Sequence, residues 1–480
     1  MIKKYIFILS FIPLFAFKVF PQQQGYITVI GDSLVGKMEK GEMIRDVYGH
    51  VVLTQGNVRI TCQHAVQYIS QNNAELIGNV VATQDTLIIT TDKGFYYGDQ
   101  RKAESVSGIK LDDRKVVLTA DTGVYFFNDD KAFFNSHVTL KDTSSTLTSR
   151  QLTYFKNVGK AIAVGGVKII EGNNIIHADS LIHFRESRIS YAFGNVKINN
   201  LDNNSIILGE HLEDYPAKSY SIIDKSPLFF QIDSSYSKTK RNSFEITVND
   251  TSTLRIDTLV ISSKFMEAYR DTFNIFIASD SVRIVRGSFA SVNDYAKYYK
   301  NEGKIISNKV SEDSPQPVMW YENSQLTGDS ITVFLKNNSI SKLDVERNSF
   351  ILSQNEKYIN RYDQISGTNL KVFFEDGKII QTNVYGGVHS IYYTYEGDSA
   401  NGLTKASSEN AIIYFEDNKV STIKLYGTPV SEYYPEKMVM HNERAFTLPG
   451  FIIYNNRPTK SELLGNKFIL KNKEYDLLIK

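Results

Sequence analysis

VGGVKI, residues 164–169, and FGNVKI, residues 193–198, are nearly the same phrase written twice, 29 residues apart (194 − 165 = 29). The phrase recurs upstream at the same interval. IGNVVA begins at Ile77 and YGHVVL at Tyr48, and 77 − 48 = 29. With the first Gly of each phrase set as slot 0, units start at Gly49, Gly78, Ser107, Ser136, Gly165 and Gly194. Slot 2 then reads Val51, Val80, Ile109, Val138, Val167, Val196, and slot 11 reads Ile60, Ile89, Leu118, Leu147, Ile176. Slot 19 reads Tyr68, Tyr97, Phe126, Phe155, Phe184. Self-similarity at a fixed period is the mark of stacked structural units.

Within a unit the apolar period is two, not 3.6. In LIITTDKGFYYG, slots 9, 11, 17 and 19 are Leu87, Ile89, Phe95 and Tyr97, and the next unit places Val116, Leu118, Val124 and Phe126 there. Such alternation predicts strands with one buried face. Polar turns such as GDQRK follow each strand. The slot-0 Gly or Ser lies inside the next strand, where a small residue predicts a bend or bulge that carries the strand around a corner. The expected fold is all-β: an elongated twisted β-jelly roll, a solenoid-like stack of 29-residue units.

Composition fits this reading. Tyr 29 and Phe 28 against Pro 10 suit strands, and a net charge of +1 in 480 residues offers no field to recruit nucleic acid. The single cysteine, Cys62, excludes an internal disulfide and any cysteine-based metal cluster. Lys3 and Lys4 followed by the apolar run Ile6–Phe17 read as a signal peptide over residues 1–21, which predicts an exported, soluble mature chain. Two such β domains are expected, at 26–215 and, with looser register, at 256–435. Residues 216–255 read as an irregular linker and 436–480 as a C-terminal tail without repeat character. In the second domain a unit resumes at Asp280, and VFFEDGKI at 372–379 recurs as IYFEDNKV at 413–420. The extra length there is expected to loop out, for instance at YEGDSANGLTKASS.

The register disposes of several tempting sites. His177-Ala178-Asp179-Ser180 resembles a compressed triad, but His177 fills the slot that holds Thr90, Thr119 and Thr148 in other units. Strand neighbours also point to opposite faces, which is poor geometry for proton relay. Cys62 shares its slot with Thr91, Ala120, Ser149 and Ala178, and reads as a small packed residue. Slot 14 holds Asp92, Asp121 and Asp179 but also Gln63 and Arg150, so it reads as a corner position rather than a calcium ladder. No catalytic residue, metal site or cofactor is expected.

IGNVVATQ…TTDKGFYYGDQRKAES and VGGVKIIEGNNIIHADSLIHF resemble the repeating unit of the OstA/LptA-like proteins of lipopolysaccharide transport. The resemblance covers roughly residues 26–215 and, more weakly, 320–435. It implies an open-ended jelly roll that holds acyl chains inside, and head-to-tail stacking of β edges into a bridge across the periplasm. The implied ligand is lipopolysaccharide or a related glycolipid. The implied partners are other transport proteins stacked end to end, with a homo-oligomer among the expected assemblies. The implied location is the periplasm, with association to the outer membrane. On that basis the inward slots Ile60, Ile89, Phe95, Leu118, Val124, Phe126, Leu147, Phe155, Ile176, Ile182 and Phe184 are the expected lipid contacts. Periodicity by itself favours an ordinary dry core, and the resemblance is what turns the reading toward a lipid groove. The competing function is a structural or adhesive β-solenoid that meets a protein partner through its loops. Exposed aromatic ladders on the outer face would favour it.

Overall fold

A computed structural model describes residues 25–465 apart from 40, 203, 238–252, 337–338 and 417–418. The signal peptide expected at 1–21 and the end of the tail lie outside the described residues. The fold is all-β and jelly-roll-like, with 70% of residues in antiparallel strands and 4% in helices, so the period-two reading holds through most of the chain. The chain divides into two compact units, residues 1–134 and 135–480.

In the first unit, Glu42–Gln55 pairs antiparallel with Val58–Tyr68, that strand with Asn73–Gln84, and that one with Leu87–Tyr97. In the second unit the same succession runs from Ser145–Phe155 through Lys160–Glu171, Asn174–Phe184 and Ile189–Asn200 to Ser205–Tyr215. Each unit repeat thus becomes one hairpin, and hairpins add edge to edge.

The corners fall at slots 0 and 1. Both residues there take positive φ: Gly78 and Asn79 at 78° and 48°, Gly165 and Gly166 at 83° and 60°, Gly194 and Asn195 at 73° and 46°. Only glycine does so without steric cost, with asparagine next most tolerant. The corner strand advances from Tyr48 to Val51 while its partner advances from Cys62 to His64, so it carries one extra residue. That is a β-bulge. The slot-14 side chain of one unit lies over the slot-0 glycine of the next. A Cβ on Gly78 would stand 2.3 Å from Gln63 Oε1, and one on Gly194 2.5 Å from Asp179 Oδ2. The slot-13 group ties down the partner strand. Thr91 Oγ1 donates to the Lys93 carbonyl (3.1 Å), Ser149 Oγ to that of Gln151 (2.9 Å), and Cys62 Sγ to that of His64 (3.2 Å).

The device continues downstream with altered spacing. Positive-φ pairs recur at Asp280/Ser281, Arg347/Asn348 and Gly386/Gly387. Ser263 and Ser408 make the same bond two residues ahead, at 2.8 and 2.9 Å. The expected EDGK turn is a two-residue hairpin, with Glu375 opposite Lys378 and φ of 48° and 75° at Asp376 and Gly377. Two expectations change. Part of the segment read as an irregular linker is strand, at Tyr220–Asp224, Leu228–Ser237 and the start of Thr253–Ser262. The extra length near residue 400 does not loop out. Instead it lengthens the hairpin arms Lys378–Glu396 and Ser399–Glu416, where Glu396 faces Ser399.

A candidate lipid-binding interior

Slot 11 is interior. Ile60, Ile89 and Leu118 in the first unit are 0%, 3% and 0% exposed, and Leu147 in the second is 2% exposed. Ile176 is half-buried. Cross-strand neighbours close the rows: Leu53 faces Ile60, Ala82 faces both Ile60 and Ile89, and Leu111 faces Ile89 and Leu118.

Beyond the corner the interior falls on different residues from those expected. Phe95, Val124, Phe126, Phe155, Ile182 and Phe184 are half-buried on the other face. Their strand neighbours Tyr96, Tyr125, Tyr154 and Leu181 are at most 1% exposed and form the interior. The bulge is the cause. The strand facing the extra residue crosses the corner out of step, so its inward parity shifts from odd slots to even ones. In Leu87–Tyr97 the buried residues are Leu87 and Ile89 before the corner, then Gly94 and Tyr96 after it.

The buried tyrosines carry a hydroxyl into an apolar space, and each finds a partner, as burial requires. Tyr96 donates to Gln55 Oε1 at 2.7 Å, Tyr125 donates to Asp130 Oδ1 at 2.8 Å, and Tyr154 accepts from Arg185 Nη1 at 2.6 Å. Burial pushes the Tyr96 hydroxyl up to about 12, so it stays a neutral donor. The rim of the first unit is closed by side-chain amides. Gln67 Nε2 donates to the Ile27 carbonyl (3.1 Å) and Asn72 Oδ1 accepts the Ile27 N–H (3.0 Å), which seats Ile27 at 5% exposure.

The displaced aromatics form an outer row with lysines between them. In the first unit Lys102 Nζ stands 4.0 Å from the Tyr97 ring, and Lys131 Nζ 4.6 Å from that of Phe133. In the second, Lys160 Nζ lies 5.4 Å from Phe184, and Phe184, Tyr191 and Tyr215 follow at centroid spacings of 6.3 Å. Repetition of Lys at slot 24 beside slot 19 was the sequence signal for this row.

The residues that resemble catalytic groups lie within the sheet strands. His177 stands between Lys168 and Lys197 in the sheet register, and burial and both lysines lower its basicity. Asp179 accepts from Asn195 Nδ2 at 2.8 Å across the corner. Burial pushes the Cys62 thiol up to about 11, far from a reactive thiolate.

Residues 27–171 match the family described as OstA-like protein, so this segment is similar to that family, as its repeat phrases indicate. OstA-like proteins form a transport and binding family, typically periplasmic, and the match supports a role of lipopolysaccharide- or lipid-transport type. No curated protein matches the chain. Among the described residues, no helix is long and apolar enough to cross a membrane.

Proposed function

We propose that the chain is a non-enzymatic periplasmic carrier that takes acyl chains of lipopolysaccharide or a related glycolipid into its interior and passes them toward the outer membrane. The observation that carries this reading is the coincidence of the OstA-like segment with buried apolar positions at slots 2 and 11 within the first unit, Val51, Ile60, Val80, Ile89 and Leu118 among them. An acyl chain crossing water exposes methylenes at roughly 0.8 kcal/mol each, and such positions can shield them. These positions are shut from water in this structure, so loading requires the interior to part along its rim. Stacking onto other transport proteins, or onto a second copy, is supported by the edge strand Ser33–Glu39. It pairs with Glu42–Gln55, and Leu34, Val35 and Met38 on it are 51%, 53% and 67% exposed.

Photo-crosslinking in cells tests the carrier. A crosslinker at Leu118 or Tyr125 captures glycolipid, whereas one at Thr119 or Phe126, on the other face, does not. Capture at none of the four, or only at the outward pair, ends the carrier reading.

The aromatic–lysine row favours a second reading, an adhesive scaffold that holds a protein partner against that face. Lys160→Ala with Phe184→Ala then abolishes a partner crosslink, while lipid capture is absent throughout.

A further inference from the structure

The second unit contains a trough that its own chain fills. After Val430–Tyr434 the backbone reverses. The short helix Glu436–Val439 packs on the unit, and residues 446–459 run back as a strap, with a turn at Pro449 and Gly450, to the helix Lys460–Leu464. Along this path Phe446, Leu448 and Phe451 pack on Phe350, Leu352, Ile391, Tyr393 and Leu403. Tyr454 and Leu463 then reach the cluster of Val285, Ala290, Val318 and Trp320, and Leu464 that of Leu208, Phe230 and Val260. Phe350 and Leu352 stand third and fifth from Arg347, and Val285 fifth from Asp280, the parity opposite the buried slots 2 and 4, so the strap covers the outward side of the strands it crosses.

The strap is held unlike any strand of the fold. Two buried glutamines each clasp a strap residue pair two apart with both ends of the amide. Gln364 Nε2 donates to the Phe446 carbonyl (3.0 Å) and its Oε1 accepts the Leu448 N–H (2.8 Å). Gln325 does the same for the Ile452 carbonyl (2.8 Å) and the Tyr454 N–H (2.9 Å). Arg457 adds bonds to the Glu322 and Ser288 carbonyls. Side-chain amides fulfil the backbone without a ladder, so the strap can leave without unzipping a strand. Upstream, Arg361 pairs with Glu436 through both guanidinium ends (2.6 and 3.1 Å), so a departing strap stays tethered.

We propose that this trough is a second acyl-chain site, occupied in the resting protein by the strap's Phe446, Leu448, Phe451 and Tyr454 side chains, and that lipid enters it by displacing the strap. The ligand class rests on the carrier reading above. The strap presents to the trough what an acyl chain would: a succession of apolar groups, Phe446, Leu448, Phe451 and Tyr454.

The test uses the full chain carrying Cys62→Ser, Gln325→Cys and Ile452→Cys. A short bis-methanethiosulfonate joins the two new thiols and is cut by reductant. The probe is a diazirine-bearing palmitate, and labelled peptides are read by mass spectrometry. With the bridge intact, labelling is confined to the first-unit interior around Leu118. Once it is cut, with one clasp gone, labelling of the peptides holding Leu352 and Tyr393 rises about tenfold or more, as expected for loss of a contact worth ~1.4 kcal/mol. Equal labelling of the trough in the bridged and cut protein overturns the proposal, as does no trough labelling in either while Leu118 is labelled. No labelling anywhere overturns the carrier reading and this proposal together. A chain shortened after Ala445 gives a second measure. It labels in the trough without reductant, and its failure to do so while Leu118 is labelled counts against the proposal.

Discussion

At the residue scale, the sequence pattern announces the corners because their backbone conformation is demanding. Gly at slot 0 recurs where positive φ coincides with a side chain pressed overhead, and the two constraints can be separated. Gly166 has φ of 60°, yet a methyl added there would meet only open space, whereas Gly78 has φ of 78° and Gln63 in the way. Gly166→Ala is expected to cost about 1–2 kcal/mol from backbone strain alone, and Gly78→Ala measurably more. Urea midpoints of the two variants check the order. Asp363 was invisible in the sequence, because its burial depends on the strands around it. Its carboxylate accepts the Tyr393 N–H at 2.9 Å, and burial pushes its pKa up to about 7 from the usual carboxylate range. The native state therefore holds a proton that the unfolded chain releases near pH 4. Stability falls as pH rises from about 4 to 7 and is level above. Asp363→Asn keeps the acceptor oxygen and removes the proton, so it should gain roughly 1–3 kcal/mol at pH 8 and nothing at pH 4. Thermal melts at the two pH values decide this.

At the element scale, strand existence was legible and strand facing only half so. Slot 11 reads as inward, and it is interior at Ile60, Ile89, Leu118 and Leu147. Slots 17 and 19 were assigned inward by carrying the same parity through a corner. One extra residue on the neighbouring strand, which no single strand's pattern records, turned Phe95 and Phe126 out and Tyr96 and Tyr125 in. The strap was illegible for a different reason: residues 446–459 have no periodicity because side chains rather than a ladder hold their backbone. Its anchor gives a sharp expectation. Arg361 is 3% exposed, faces Glu436 and Glu443, and lies 5.2 Å from the Tyr393 ring. Arg361→Ala strands Glu436 in a partly buried position and should cost about 2–4 kcal/mol. Arg361→Lys should recover less than half of that, since an ammonium cannot match the two-point pairing. Denaturation of both variants, with Glu436→Gln as the reference, measures it.

At the scale of the whole molecule, charge near zero leaves association to edges and apolar contact. The strand Val430–Tyr434 exposes Val430 and Tyr433 at 59% and 53%, and Ser33–Glu39 exposes apolar side chains at the other end of the sequence. Val35→Lys with Met38→Lys places charge on that edge, the usual guard against strand addition. The variant should remain monomeric at concentrations where the parent chain associates, read by sedimentation velocity. An unchanged sedimentation profile would remove the edge from the association surface.

The bulged corner carries a consequence for descent. Because alternate strands differ by one residue at every corner, a single-residue insertion between corners would turn half a strand inside out, exchanging its apolar and polar sides. Deletions and insertions are harmless only at hairpin tips or when they add matched residues to both arms, as in the long arms at 378–416. A lineage can therefore lengthen or shorten such a protein by duplicating or losing complete repeats, which makes reach an inheritable quantity counted in whole numbers.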